Sequence, residues 1–353
     1  MNQGLEGVVA AETSLSMVDG EKGELIIAGF PVEELAPNAT FEETVEILWG
    51  GQFASRDRTL QPIVYDVLRA AAQRNYDPMD ALRAAAGLLV PDQLFAAFPT
   101  IVTAYWRLRH DQEPIAPRSD LRHAANYLFM LSGELPSDER VRALDTYLNT
   151  VVDHGLNAST FTARVITSTG SDLVSAIVGA VGALKGPLHG GAPGPALDMV
   201  FEIGDASRAE EALRRKIESG EKLMGFGHRV YKVRDPRADV LAAAAERLFA
   251  RGGDARLYAL AREVERTAIR LLEEYKPGRR LQTNVEFYTA LLLHGLGLET
   301  PLFTPTFAIS RVAGWIAHCL EQQRANRIIR PQSVYVGPRG RKWAQPGLKS
   351  AVC

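Results

Sequence analysis

Apolar residues recur at spacings of three and four over most of the 353-residue chain, and helix start and stop signals bound the runs. That period admits a mainly helical fold and little else. Thr40-Phe41-Glu42-Glu43 is a capping box, with Thr40 at the N-cap and Glu43 reaching back to it. Phe41, Val45 and Leu48 then share one face, and Gly50-Gly51 ends the helix. Ser137 opens another helix, with Val141, Leu144, Leu148 and Val151 on its apolar face. Asp172 caps a run through Leu173, Ile177, Val181 and Leu184, where Ala and Gly at other positions predict close packing. Helical patterns also cover 59–72, 91–109, 118–131, 206–219, 237–250, 258–275 and 302–323. Strand character is confined to the first thirty residues. There Val8-Val9-Ala10 and Glu24-Leu25-Ile26-Ile27 flank Asp19-Gly20 and predict a small ribbon. No repeat, low-complexity segment or strand–helix alternation is present, which argues against Rossmann and barrel folds. The expected class is all-α with a minor N-terminal β ribbon.

Charge narrows the function classes. Lys plus Arg number 40 against 42 Asp plus Glu, a net charge of −2. So even a balance argues against a dedicated nucleic-acid binder and a polybasic membrane protein. The two cysteines, Cys319 and Cys353, form no C-x-x-C pair, which excludes a disulfide scaffold and a cysteine zinc site and fits a reducing compartment. No signal peptide is readable at the N-terminus, and the apolar run Leu173–Leu184 is too short to span a bilayer. The expectation is a cytoplasmic globular protein, for which the sequon Asn157-Ala158-Ser159 carries no weight.

The loops carry the chemistry. Glycine concentrates in Asp153-His154-Gly155, Gly186–Gly194, Gly225-Phe226-Gly227 and Gly295-Leu296-Gly297. Glycine lets a loop backbone come close to a ligand. No Walker loop, G-x-G-x-x-G, G-x-S-x-G or H-E-x-x-H motif occurs, so nucleotide hydrolysis, serine hydrolysis and zinc proteolysis lose support and no metal is expected.

A histidine, carboxylate and arginine constellation remains. His189 stands in Gly186-Pro187-Leu188-His189-Gly190-Gly191-Ala192-Pro193, and Pro193-Gly194-Pro195 suits a first helical turn. A lone loop histidine is more often a structural hydrogen-bonder than a catalyst. In Met224–Arg237, the side chains of His228, Arg229, Lys232, Arg234 and Arg237 crowd into ten residues. His228, among aromatic and glycine neighbours, reads as catalytic, whereas Arg234 reads as a solvated turn residue. Glu286, in Thr283-Asn284-Val285-Glu286-Phe287-Tyr288, is either a helix N-terminal carboxylate or a general base made stronger by partial desolvation. Arg311 lies on an otherwise apolar helical run, where a buried guanidinium calls for a carboxylate.

Taken in order, Asp153-His154-Gly155-Leu156-Asn157-Ala158-Ser159-Thr160, Gly-Pro-Leu-His-Gly-Gly-Ala, Met-Gly-Phe-Gly-His-Arg-Val-Tyr-Lys with Asp-Pro-Arg, and Gly-Trp-Ile-Ala-His resemble the citrate synthase family, a likeness extending to Arg330-Pro331. The resemblance implies an almost wholly helical homodimer of the shorter form. It also implies a large domain of residues 1–190 and 298–353 and an inserted small domain of 191–297 that closes over the site. His154, His189 and His228 would line an oxaloacetate site, and Arg237, Arg311 and Arg330 would hold carboxylates, with Arg330 reaching into the neighbouring subunit. Met224, Gly225, Phe226 and Gly227 would hug the adenine of coenzyme A, and Lys232 would meet a phosphate. Neither cofactor nor metal is implied, acetyl-CoA being a substrate.

The implied reaction has Glu286 remove a methyl proton, neutral His189 donate to the thioester oxygen, and His228 polarise the ketone, followed by thioester hydrolysis. The family's usual base in Asn-Val-x-Phe-Tyr is aspartate, so Glu286 is a departure that moves the carboxylate by roughly 1 Å. A propionyl-CoA-using 2-methylcitrate synthase and a non-catalytic ligand-binding paralogue are the alternatives. From Arg324 onward the chain has seven basic residues and no acidic one: Arg324, Arg327, Arg330, Arg339, Arg341, Lys342 and Lys349. Those beyond Arg330 read as an exposed basic tail.

Overall fold

The structure is a computed structural model that describes residues 3–5, 7–51, 57–190, 193–228, 230–251 and 254–340. Gly191, Ala192, Arg229, Arg341, Lys342, Lys349 and Cys353 lie outside the described residues.

The chain opens with an antiparallel ribbon of β1 (Ser16–Asp19), β2 (Glu24–Ile27) and β3 (Phe30–Pro31), in that spatial order. Ser16 pairs with Ile27, and Ile26 pairs with Pro31. The first strand is therefore Ser16–Asp19 and not Val8–Ala10, whose Val9 is 86% exposed with no core to face. Asp19 explains the choice, because its Oδ1 accepts the backbone N–H groups of Glu21 and Lys22 and closes the turn to β2.

Helices follow as α1 (Val32–Asn38), α2 (Phe41–Leu48), α3 (Pro62–Gln73), α4 (Pro78–Ala86), α5 (Leu94–Arg109), α6 (His123–Ser132) and α7 (Asp138–Val151). Next come α8 (Ala158–Ser168), α9 (Leu173–Leu184), α10 (Pro193–Ile203), α11 (Ala209–Glu218) and α12 (Pro236–Ala250). The last three are α13 (Ala255–Tyr275), α14 (Val285–Gly295) and α15 (Phe303–Arg324). The expected caps form: Thr40 and Glu43 complete the box on α2, while Ser137 and Asp172 accept backbone N–H groups at the starts of α7 and α9. Asn157 is used the same way, its Oδ1 taking the N–H of Thr160 at the head of α8.

Two helices form the centre. Residues Leu94–Trp106 of α5 are buried without a break, as a helix apolar on all sides must be. α15 is buried from Ala308 through Cys319 and packs on α5, α7, α8 and α9. Its face Arg311, Gly314, Trp315 and His318 follows helical spacing and lies on the segment that joins α7 to α8. Gly314 makes the approach possible, since a Cβ there would stand 2.3 Å from the carbonyl oxygen of Val152.

Gly314→Ala forces that contact apart and should destabilise the protein by about 1–3 kcal/mol or more. A lower denaturant midpoint and a loss of activity are the expected results.

Candidate active site

Six segments bring the predicted residues together. His154 follows α7, His189 follows α9, and His228 lies in the loop before α12. Arg237 and Glu286 sit in the first turns of α12 and α14, and Arg311 is buried within α15. The rings of His154 and His228 are 6.3 Å apart, and Tyr231 lies between them, 5.7 and 4.8 Å from each. Tyr231 Oη is 3.1 Å from His154 Nε2.

His228 has a defined tautomer. Its Nδ1 accepts the N–H groups of Val230 and Tyr231 at 2.9 and 3.0 Å, so the ring proton is on Nε2. Arg237 Nη2 is 3.3 Å from that Nε2, and a guanidinium can only donate. Two donors thus stand side by side: Asp235 Oδ2 takes Arg237 Nη2 but lies 3.9 Å from His228 Nε2, which has no acceptor within hydrogen-bond distance among the described residues. Asp235 holds the arginine bidentately, at 3.0 Å from Nε and 2.9 Å from Nη2, and also takes the N–H of Val285 at 3.2 Å. As the N-cap before Pro236, Asp235 fixes α12, its arginine and the start of α14 at once. In the sequence the Asp-Pro-Arg triplet stood only as part of a family resemblance; its cap and its hold on α14 emerge from the structure.

His189 Nε2 lies 2.7 Å from Ser159 Oγ. That oxygen accepts Trp315 Nε1–H at 3.0 Å and stands 2.9 Å from Asn157 Oδ1. The single serine proton serves either Asn157 or His189, and the second choice leaves the histidine's own proton on Nδ1.

Burial keeps this cluster neutral in its imidazoles. Desolvation first, then nearby arginine charge, lowers His189 and His228 each to about 4. The same causes, with Arg237 ahead of Arg311, put His154 well below 6.5. Desolvation pulls Arg311 down to about 10, which leaves it protonated. Its Nε donates to the Val151 carbonyl at 2.8 Å and its guanidinium lies over the Phe307 ring, but no described carboxylate pairs with it.

Glu286 is raised above the ordinary carboxylate value, by desolvation chiefly, with Arg237 opposing and Asp235 assisting. Its backbone N–H bonds the Asn284 cap at 3.0 Å, and its carboxylate makes no hydrogen bond to a described residue.

The predicted coenzyme A loop is joined to this base segment. Gly227 N–H donates to Gln282 O at 2.7 Å, Asn284 N–H to Gly225 O at 3.0 Å, and Asn284 Nδ2 to Gly227 O at 2.8 Å. Gly225 has a φ of 85° and lies so close to Phe287 that a Cβ would come within 2.9 Å, which accounts for the glycine. Met224 and Phe226 pack partly buried against the core. Lys232 is exposed, its N–H bonded to Gly20 O in the ribbon turn.

Two residues fall elsewhere. Arg330 is exposed in a groove of about 810 Å³ lined by Ser14, Arg164 and Glu321, apart from the histidines of its own chain. Arg234 is no solvated residue: it pairs with Asp239 at 2.5 Å and with buried Glu265 at 3.0 Å. Tyr231, Asp235, Ser159 and Glu265 went unassigned in the sequence because their roles depend on partners distant along the chain. Among the described residues no group of His, Cys, Asp and Glu could hold a metal, and no helix is long and apolar enough to cross a membrane.

A helical fold thus converges neutral histidines, two buried guanidinium groups and a carboxylate with no hydrogen bond to a described residue. Residues 4–332 match the profile of the citrate synthase C-terminal domain. A citrate synthase of Haloferax volcanii is 38% identical, covering 96% of both chains. A 2-methylcitrate synthase of Shewanella oneidensis is also 38% identical, again over 96% of both. The crystal structure of the Pyrobaculum aerophilum citrate synthase superposes with a TM-score of 0.87 at 37% identity, covering 97% of this chain and 94% of that one. The Thermoplasma acidophilum citrate synthase, solved with oxaloacetate and carboxymethyl coenzyme A, gives 0.85 at 29% identity over 98% of each. The chain belongs to the citrate synthase family, a family of condensing enzymes.

The neutral histidines carry a consequence for stability. Held at about 4 in the native protein, His189 and His228 gain protons near 6.5 once unfolded. The stability they contribute is complete above about 6.5 and is lost as pH falls from there through 4. Urea midpoints measured across that window should decline, and a His189→Gln/His228→Gln double variant should decline less steeply.

Proposed function

We propose that the protein condenses acetyl-CoA with oxaloacetate and hydrolyses the resulting thioester, releasing citrate and coenzyme A. The observation that carries this reading is the pairing of an unpartnered, desolvated Glu286 carboxylate with the acceptor-seeking donors of His228 and Arg237. The ketone oxygen of oxaloacetate supplies the acceptor that His228 Nε2 lacks among the described residues, beside Arg237 Nη2, and its carboxylates satisfy Arg311 and Arg237. His154, next to Tyr231, donates to the same substrate.

The methyl of an acyl thioester is a weak carbon acid, so its proton leaves only if the enolate oxygen is stabilised as it forms. His189 donates to that oxygen from Nδ1 when Ser159 turns its proton to Nε2. Glu286 takes the methyl proton, the nucleophilic carbon attacks the polarised ketone, and His228 Nε2 gives its proton to the new alkoxide; the proton on Glu286 makes good that loss, so both groups return to their starting forms. Water then cleaves the thioester. Met224, Gly225, Phe226 and Gly227 receive the adenine, and Lys232 a phosphate.

Residues 191–297 act as a small domain closing on a large domain of 1–190 and 298–353, which keeps water out until condensation is complete. The working unit is a homodimer in the cytoplasm, in which Arg330 completes the neighbouring site. Its exposure away from its own histidines supports that assignment.

The equal identity to a 2-methylcitrate synthase favours propionyl-CoA as a second reading. Against it, the longer Glu286 reaches further into the acyl space and leaves less room for an added methyl, a difference worth about 1–3 kcal/mol.

A thiol-release assay with oxaloacetate and short acyl-CoAs tests both. Acetyl-CoA should give the higher kcat/KM, and Glu286→Gln should lower kcat by roughly 10²–10⁴-fold. A Gln variant as fast as wild type removes Glu286 from the mechanism. Oxaloacetate binding without thiol release marks a ligand-binding paralogue.

A further inference from the structure

The carboxylate of Glu265, on α13, is 4% exposed and collects four donors from three segments. Its Oε1 accepts Thr283 Oγ1–H at 2.7 Å and Arg234 Nη1–H at 3.0 Å. Its Oε2 accepts Tyr288 Oη–H at 2.5 Å and Arg262 Nη1–H at 2.9 Å. Arg262 also donates to Tyr288 Oη at 2.8 Å. Two acceptor positions on each oxygen are thereby filled, which is the full capacity of a carboxylate.

The donors are not scattered. Thr283 and Tyr288 bracket Glu286, and Arg234 belongs to the loop that carries His228 and leads into α12, where Arg237 sits. Arg234 is gripped from its other side by Asp239 in the first turn of α12. Glu265 therefore ties the base segment to the donor loop from behind, while the backbone bonds of Gly225, Gly227 and Asn284 tie them in front. Burying a carboxylate carries a large desolvation cost, and full pairing is what offsets it. The Glu286 carboxylate makes no hydrogen bond to a described residue, so its placement depends on the backbone that this clamp holds.

We propose that Glu265 is a positioning residue for Glu286, fixing the reach of its carboxylate relative to the His228–Arg237 donors. The proposal rests on Glu286 being the base. It explains how a side chain one methylene longer than the family's usual aspartate is kept in register, where a shift of about 1 Å costs roughly a hundredfold in rate.

Three variants test it. Glu265→Gln sets an amide N–H₂ against donors, while Thr283→Val and Tyr288→Phe each remove one tether and leave the carboxylate in place. The measurements are kcat, oxaloacetate binding by calorimetry, and the isotope effect on kcat with trideuteroacetyl-CoA. Glu265→Gln should lose roughly 10–100-fold in kcat, and the two tether variants less. Oxaloacetate should still bind at wild-type stoichiometry and within about twofold in affinity, with an isotope effect at least as large as wild type. Wild-type turnover in all three variants, a binding stoichiometry that falls in step with kcat, or an isotope effect that collapses to one would each overturn the proposal. Glu286→Gln run in parallel separates the two claims. If it keeps wild-type turnover, the base assignment falls and the clamp with it. If it is inactive while the clamp variants behave as wild type, only the clamp falls.

Discussion

The contact between one face of α15 and the segment 151–159 is the constraint on which the rest of the site depends. Gly314 brings the helix against the Val152 carbonyl, and three neighbours on that face then bond the same short segment. Arg311 donates to Val151 O, Trp315 to Ser159 Oγ, and His318 faces Asp153 at 3.2 Å. One helix face thereby sets His154 through Asp153, His189 through Ser159, and the buried guanidinium that faces both. A larger residue at 314 would move three functional groups together, which is why a backbone approach outranks any single hydrogen bond here.

Electrostatics extend the same contact outward. Arg164 Nη1 donates to His318 Nδ1 at 2.6 Å, so the His318 proton is on Nε2 and faces Asp153. Burial would raise Asp153, but His318, Arg311 and the Ser16 hydroxyl together outweigh it and hold the carboxyl below its ordinary value. Asp153 and Gly155 both bond Ser16, and Gly20 bonds Lys232 N–H, so the small ribbon braces the His154 and His228 loops from one side. Asp153 thus sets a negative charge beside Arg311 without pairing with it directly. That favours the protonated arginine in a dry site, and in the proposed reaction leaves its fork to a substrate carboxylate.

Helix caps and apolar spacing made the helical frame legible, because those signals are local: Thr40, Ser137 and Asp172 do in the structure what their neighbours in sequence require. Val8–Ala10 misled, since β-branched residues form a strand only where a partner and a core meet them. Arg234 misled for a related reason. Its carboxylate partner on α13 is 31 residues away, and nothing in the basic run announces it. His189, His228, Glu286 and Arg311 were singled out by residue type and neighbours, and His154 and Arg237 by the family resemblance; the structure brings them close together. Tyr231, Ser159 and Glu265 were not singled out, because a hydroxyl or a helical glutamate acquires a role only from what folding sets beside it.

Glu286 shows how far those supporting contacts reach. A glutamate in the first turn of a helix has one more rotatable bond than an aspartate, and that freedom costs entropy unless the surroundings restrict it. Here the restriction is applied to the backbone: the Asn284 cap, the paired 225–227 strand of loop and the filled carboxylate of Glu265 leave little freedom at residues 283–288. The carboxylate itself stays unbonded and partly desolvated, which keeps it basic. Bonding it directly would have fixed its position at the expense of that basicity, since each donated hydrogen bond favours the ionised form. Holding the chain and leaving the charge alone satisfies both demands; in the proposed reaction, aim then falls to α13 and proton transfer to α14.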